Sequence, residues 1–172
     1  GRKFSNVFIV KNTENIGLTF SLIKAIDLAS GKYIARQDAD DISHIERIDQ
    51  QVRYLQKNIN VVLLGTGYTL LDKTLSIRKE VIVAKSHDEL LELRFKINPF
   101  CHSSVMFRKE TYQLAGGYSV NFKLTQELDL WFRLLDFGRF AILDKMGFVF
   151  HQVLGMKRHQ LYLFSLIYHL PT

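Results

Sequence analysis

Three carboxylates within four residues, Asp38-Ala39-Asp40-Asp41, follow the apolar, β-branched run Tyr33-Ile34-Ala35-Arg36-Gln37. Charges of one sign packed this closely repel and raise one another's pKa, unless a cation or a row of hydrogen-bond donors holds them ionised. A hard divalent ion fills that role. Magnesium or manganese takes a few carboxylate oxygens and leaves its remaining positions to water and to substrate phosphates. At the C-terminal end of a strand, such a cluster faces the crevice in which open α/β sheets bind ligands. Asp is equally at home in turns and helix caps, so the spacing alone leaves a purely local role open.

The elements that must position the cluster are written as periodicities. Val7-Phe8-Ile9-Val10 reads as a short strand buried on both faces of a parallel sheet. After the polar turn Asn12-Thr13-Glu14-Asn15, apolar residues recur at helical spacing at Leu18, Leu22, Ala25, Ile26 and Ala29, and Gly31 stands where a left-handed cap ends a helix. With residues 33–37 as the next strand, this predicts a right-handed parallel β-α-β crossover. Beyond the cluster, Ser43-His44-Ile45-Glu46 reads as a capping box, and Ile45, Ile48, Val52 and Leu55 continue one helix face.

Residues 61–65 form a further buried strand and residues 68–78 a hairpin or an edge strand. A second capping box, Ser86-His87-Asp88-Glu89, opens a helix through about residue 95. Pro99-Phe100-Cys101-His102-Ser103 turns into a strand at residues 104–107, and residues 108–114 form a short helix stopped by Gly116-Gly117. Residues 126–137, apolar on nearly every side, predict a buried helix stopped by Gly138. Residues 140–143 and 148–150 are two more strands.

With 172 residues, 47% of them hydrophobic, the chain has the make-up of one globular domain with a core. Its net charge of +6 suits anionic partners such as nucleotide phosphates or acidic lipid headgroups. The basic residues are scattered among acids and form no aromatic-interleaved stripe, so no nucleic-acid binding is expected. The single cysteine, Cys101, excludes an internal disulfide and a cysteine-based zinc cage. No apolar run approaches the roughly 18 residues of a membrane span.

In this order the pieces resemble the family 2 glycosyltransferases of the GT-A fold, over residues 6–151. Asn15-Ile16-Gly17-Leu18 followed by Gly31-Lys32-Tyr33-Ile34-Ala35-Arg36-Gln37-Asp38-Ala39-Asp40-Asp41 is similar to the family's nucleotide-side half, which ends in its Asp-x-Asp metal motif. His102-Ser103-Ser104-Val105-Met106-Phe107-Arg108 and then Gly116-Gly117-Tyr118 are similar to its acceptor-side half. Gln126-Glu127-Leu128-Asp129-Leu130-Trp131-Phe132-Arg133-Leu134 matches the segment that carries its catalytic base. The resemblance implies an α/β fold whose mostly parallel sheet is flanked by helices, in a single domain. Residues 1–41 would be the nucleotide side, 42–152 the acceptor side and 153–172 an amphipathic extension.

The resemblance also implies the chemistry. The chain would be a metal-dependent, inverting transferase that moves a sugar from a nucleotide sugar, UDP-linked, to a hydroxyl of a glycan or lipid-linked acceptor in cell-surface glycan synthesis. Its cofactor would be manganese or magnesium. Asp40 is the first metal ligand, and Asp38 either shares the metal or sits nearer the nucleotide ribose. Asp41 either joins them or caps the helix that follows. Glu127, where most relatives carry Asp, would be the base that takes the acceptor's proton.

Arg36 and Arg108 are candidate diphosphate contacts, and His102 is a candidate contact to sugar or phosphate. Lys157-Arg158 is either a further phosphate contact or solvated surface charge. Asp129 is expected to pair with Arg133 one turn on, and Trp131 to lie in the core. The apolar stretch 161–168 could be a docking helix, the start of a truncated helix or a membrane-surface anchor. The protein is expected in the cytoplasm, with a peripheral place at the inner face of the membrane if the anchor reading holds.

Relatives begin with a further strand and helix before anything that matches here. A missing N-terminal unit is therefore expected: either another chain, in an oligomer, or another segment supplies it, or the sequence is a fragment of a longer reading frame. A catalytically silent GT-A remnant acting as a binding or scaffold module is the alternative reading, and a metal-dependent phosphohydrolase a third.

Overall fold

The computed structural model describes residues 7–71, 76–81, 86–93, 95–122 and 124–151. Helix α1 (Gly17–Leu28) leads to strand β1 (Tyr33–Ala35), the acidic turn and the short β2 (Ile42–Ser43). Then come α2 (Arg47–Lys57), β3 (Val61–Leu71), β4 (Ile77–Val81) and α3 (His87–Leu93). A single 3-10 turn (His102–Ser104) precedes β5 (Met106–Arg108), α4 (Lys109–Leu114), α5 (Gln126–Leu134) and the long β6 (Arg139–His151).

The strands form one sheet in the order β1-β5-β3-β6-β2, with β4 paired to β3. It is mixed rather than mostly parallel: β3 and β6 run parallel, and the other described pairings are antiparallel. Strand alternation sends neighbouring side chains to opposite faces. Ile34 and Phe107 join Leu22, Ile26, Tyr112, Leu130 and Trp131 on the face covered by α1, α3, α4 and α5. Tyr33, Ala35, Leu64 and Met106 pack on the other face against Leu55, Ile48 and Val52 of α2.

Several expectations hold. Residues 68–71 and β4 make the hairpin, and Ser86 and Glu89 close a reciprocal capping box, with Ser86 N donating to Glu89 Oε2 at 2.9 Å and Glu89 N to Ser86 Oγ at 3.3 Å. Gly116 and Gly117 end α4 at φ +80° and +67°, a region that side chains disfavour. Trp131 is core, and Asp129 pairs with Arg133.

Others are corrected. Residues 7–10 are not a strand; they run as exposed coil, Phe8 with 83% of its surface in solvent, because no neighbour among the described residues offers them a ladder of hydrogen bonds. The β-α-β crossover is therefore not formed here. Helix α1 ends at Ala29 in extended backbone, without a left-handed Gly31.

The first capping box fails as well. Ser43 lies in a strand paired to β6, its hydroxyl donates to Gln37 Oε1 at 2.6 Å, and α2 starts only at Arg47. Ile45 is left 94% exposed in the turn before α2, off the helix face assigned to it. Helix α5 presents Phe132 to solvent and so is buried on one side only. The two strands foreseen at 140–143 and 148–150 are one, β6.

Candidate functional site

The acidic turn hangs from the C-terminal end of β1. Because β5 runs antiparallel to β1, pairing Ala35 with Met106, the residues just before β5 meet those just after β1. Arg36 N donates to Val105 O at 3.0 Å, and Asp38 N to Ser103 Oγ at 3.2 Å. Asp41 N then closes the turn on Asp38 O at 3.3 Å.

Helix α2 straps this junction from the second face of the sheet. Arg47, 1% exposed, donates through Nη1 to the carbonyls of Arg36 (3.3 Å) and Ser103 (3.1 Å) and through Nη2 to Gln37 Oε1 (3.3 Å). One turn on, Gln51 Nε2 donates to Ser104 O at 2.9 Å and Leu64 O at 3.3 Å. Loop carbonyls that lack a ladder partner are thus satisfied by side chains, as buried backbone requires. The periodicity of α2 gave no hint of this, because Arg47 and Gln51 occupy core positions that the apolar pattern left blank.

Within the turn the three carboxylates are not equivalent. Arg36, buried beneath them, forks onto both oxygens of Asp38 and also reaches Ser103 Oγ, whose own proton goes to Asp38 Oδ2 at 2.7 Å. Asp38 is therefore clamped by a guanidinium and a hydroxyl. Asp40 is half-buried. Asp41, only 6% exposed, has neither carboxylate oxygen in a hydrogen bond.

Burial pushes Asp41 up to about 7; the nearby Ser103 hydroxyl opposes it, repulsion from Asp38 and then Asp40 adds to it, and Arg36 opposes it least. Oxygens of all three side chains lie within 4.8 Å of one another. A buried carboxylate without a partner beside two more is a donor set for a hard divalent cation, so the residues fit the metal that the sequence implies.

His102 sits next to Ser103. A ring nitrogen, Nε2, is 2.8 Å from Tyr118 Oη, and burial followed by the charge of Arg36 holds the imidazole well below its usual range, hence neutral. Its ring packs edge-on against Trp131 of α5, 5.9 Å between centroids. Glu127 lies one turn before Trp131 on that helix, half-buried. Tyr118 feels the charges of both Glu127 and Asp38, which add to the dominant effect of burial in raising its pKa. The chain thus brings Arg36, Asp38, Asp40 and His102 to one end of the sheet, with Glu127 across the His102–Tyr118 pair.

Arg108 is elsewhere. Its guanidinium donates to the carbonyls of Leu55 (2.7 Å), Asn58 (3.2 Å) and Val61 (2.9 Å), tying the end of α2 to β3, so it is a structural residue and not a phosphate contact. Burial pushes the Cys101 thiol up to about 12. Lys157, Arg158 and the stretch 161–168 lie outside the described residues.

With the geometry established, comparison with known proteins decides the family. The sequence profile described as glycosyl transferase family 2 matches residues 2–114. The chain belongs to glycosyl transferase family 2. Among relatives, the EpsE protein of Bacillus subtilis (strain 168) is 33% identical over 132 residues, covering 76% of this chain and 46% of its own length. The amylovoran biosynthesis glycosyltransferase AmsE of Erwinia amylovora is 31% identical over 130 residues, covering 76% and 48%. This family 2 chain spans about half the length of the curated relatives it matches.

The fold is GT-A. The crystal structure of S. aureus TarS 1-349 superposes with a TM-score of 0.61 at 14% identity, covering 81% of this chain and 41% of that one. Its complex with UDP superposes at 0.56 and 13% identity, covering 75% and 38%.

Proposed function

We propose that this chain forms the donor site and catalytic base of a metal-dependent, inverting glycosyltransferase. It would move a sugar from a UDP-sugar to a hydroxyl of a glycan or lipid-linked acceptor in cell-surface glycan synthesis. The observation that carries the proposal is the acidic turn, braced from β1, β5 and α2, in which a buried carboxylate is left without a partner. Family membership, the role that AmsE's name gives that relative in amylovoran biosynthesis, and the UDP complex of a protein with this fold support the donor and pathway class.

The residues divide the work. Asp40 would be the first ligand for manganese or magnesium, and a cation held there would stabilise the negative charge that develops on the departing diphosphate. Arg36 pairs with Asp38 and orients it, so that its remaining lone pairs can accept from a ribose hydroxyl. Glu127 removes the proton of the acceptor hydroxyl as that oxygen attacks the anomeric carbon. His102, neutral, fixes Tyr118 between the two halves of the site and borders the sugar.

Among the described residues no helix is long and apolar enough to cross a membrane. We infer a cytoplasmic protein that meets lipid-linked acceptors peripherally at the inner face.

The test is UDP release from a panel of UDP-sugars, with manganese or with chelator, for the wild type and Glu127→Gln. The expected result is turnover abolished by chelator and reduced about 10²–10⁴-fold by the substitution with little change in KM. Turnover indifferent to both would overturn the proposal. Binding of UDP without turnover in the wild type would favour the silent scaffold.

A further inference from the structure

At the end of β1 away from the acidic turn, three cations line one concavity. Lys32 stands just before β1, Arg108 closes β5 and Lys109 opens α4. Tyr33 pairs with Arg108, and Lys109 N donates to Lys32 O at 2.9 Å, so the antiparallel meeting of the two strands brings the cations together. The concavity has a volume of about 400 Å³ and is also lined by Glu110 and Ile59. That is the size of sites that take small organic ligands.

Like charges repel, so their gathering needs a cause. Two of the three have one within the fold. Lys109 Nζ donates to Ala29 O, the residue that caps α1, and Arg108 donates to Leu55 O and Asn58 O at the end of α2. A helix C-terminus carries about half a negative charge, so each cation is only partly offset. Lys32 has no such reason to be there. It is exposed, with Nζ 5.9 Å from the centre of the Tyr33 ring, and the Arg108 guanidinium lies 5.5 Å from that same ring. Among the described residues, none of the three forms an ion pair with a carboxylate.

The donors sort in the same way. An ammonium carries three N–H groups. Lys109 commits one of them to Ala29, and the Lys32 ammonium makes no hydrogen bond with a described residue. Arg108 is committed to carbonyls and lends the concavity its charge rather than its donors.

We propose that this concavity binds the phosphate group of a small organic ester. Lys32 and Lys109 hold the phosphate oxygens, Arg108 raises the positive potential around them, and Ile59, 76% exposed, meets the organic part. A phospholipid headgroup and a soluble phosphate ester present this same anion. The site is separate from the donor site, with the length of β1 between them, and it works without a metal.

The experiment is calorimetric titration of glycerol 3-phosphate, in chelator to silence a metal-dependent donor site, into the wild type, Lys32→Gln, Lys32→Glu and Asp40→Asn. Each protein is also sedimented with vesicles of phosphatidylcholine, alone or mixed with phosphatidylglycerol. Wild type and Asp40→Asn should alike show saturable binding of the soluble ester, or sedimentation that requires phosphatidylglycerol. The first without the second marks a soluble ligand, and the second without the first marks the headgroup. Lys32→Gln should weaken the binding seen at least about fivefold, and Lys32→Glu should abolish it. Both should melt within about 2 °C of the wild type, since Lys32 caps no helix.

A wild type that binds neither probe, or Lys32 variants that bind as the wild type does, would overturn the proposal. Loss of binding in Asp40→Asn would overturn it too, because the ligand would then lie at the donor site.

Discussion

Removing the Ser103 hydroxyl should be felt out of proportion to its size. In Ser103→Ala the chain loses a bond donated to Asp38 Oδ2 at 2.7 Å, an acceptor for Arg36 Nη1 at 2.7 Å and an acceptor for Asp38 N–H at 3.2 Å. Bonds to charged groups contribute about 1.5–3 kcal/mol each and neutral ones about 1. Arg36 and Asp38 remain paired, and Asp38 keeps 28% of its side chain in contact with solvent, so water recovers part of the loss. A net cost of about 2–3 kcal/mol follows, which for a chain of this size lowers Tm by about 4–12 °C.

Differential scanning calorimetry in chelator reads this shift directly. The same substitution in an Asp38→Asn background should cost about 1–2 kcal/mol less, because the two groups are coupled. A Tm within about 1 °C of the wild type, or strictly additive substitutions, would refute the picture of Asp38 as a clamped carboxylate.

Further outcomes follow from the same structure. A Cβ at Gly138 would lie 2.5 Å from Asn60 O and 2.6 Å from Val62 Cγ1, and that carbonyl receives Arg139 N at 2.7 Å; Gly138→Ala should therefore destabilise by about 3 kcal/mol or more in urea unfolding, from overpacking alone. His102 is neutral in the fold and gains a proton in the unfolded chain below its usual pKa of about 6.5, so its contribution to stability is complete above that pH and is lost as pH falls below it, by up to about 1.4 kcal/mol per unit.

Asp41, raised to about 7, acts in the opposite sense between pH 7 and its ordinary range. The test is therefore the difference in unfolding free energy between wild type and His102→Gln across pH 5–8, and a flat difference would contradict it. Arg47→Met should cost about 3 kcal/mol by stranding the carbonyls of Arg36 and Ser103, and should weaken UDP binding as well; a fold of unchanged stability would contradict the strap.

What could be read in advance was local. The acidic turn, the Ser86 box, the paired glycines and the Asp129–Arg133 pair each declare themselves within a few residues. Ser103, Arg47 and Gln51 do not, because their partners are set by the antiparallel meeting of β1 with β5 and by the crossing of α2; Ser103 and Asp38 are 65 positions apart.

The failures have the same origin. Residues 7–10 have the composition of a strand, but a strand exists only beside another. Ser43 has the spacing of a cap, but Gln37 and the ladder to β6 offered its hydroxyl and backbone better partners. Arg108, basic and next to a family motif, is occupied by three carbonyls that no local pattern could foresee.

The most direct test of the central claim is calorimetric titration of UDP into the purified chain, with and without manganese, repeated on Asp40→Ala. Saturable binding that requires both the ion and Asp40 is expected. A folded protein that binds UDP equally well without manganese, or with Asp40 removed, would contradict it.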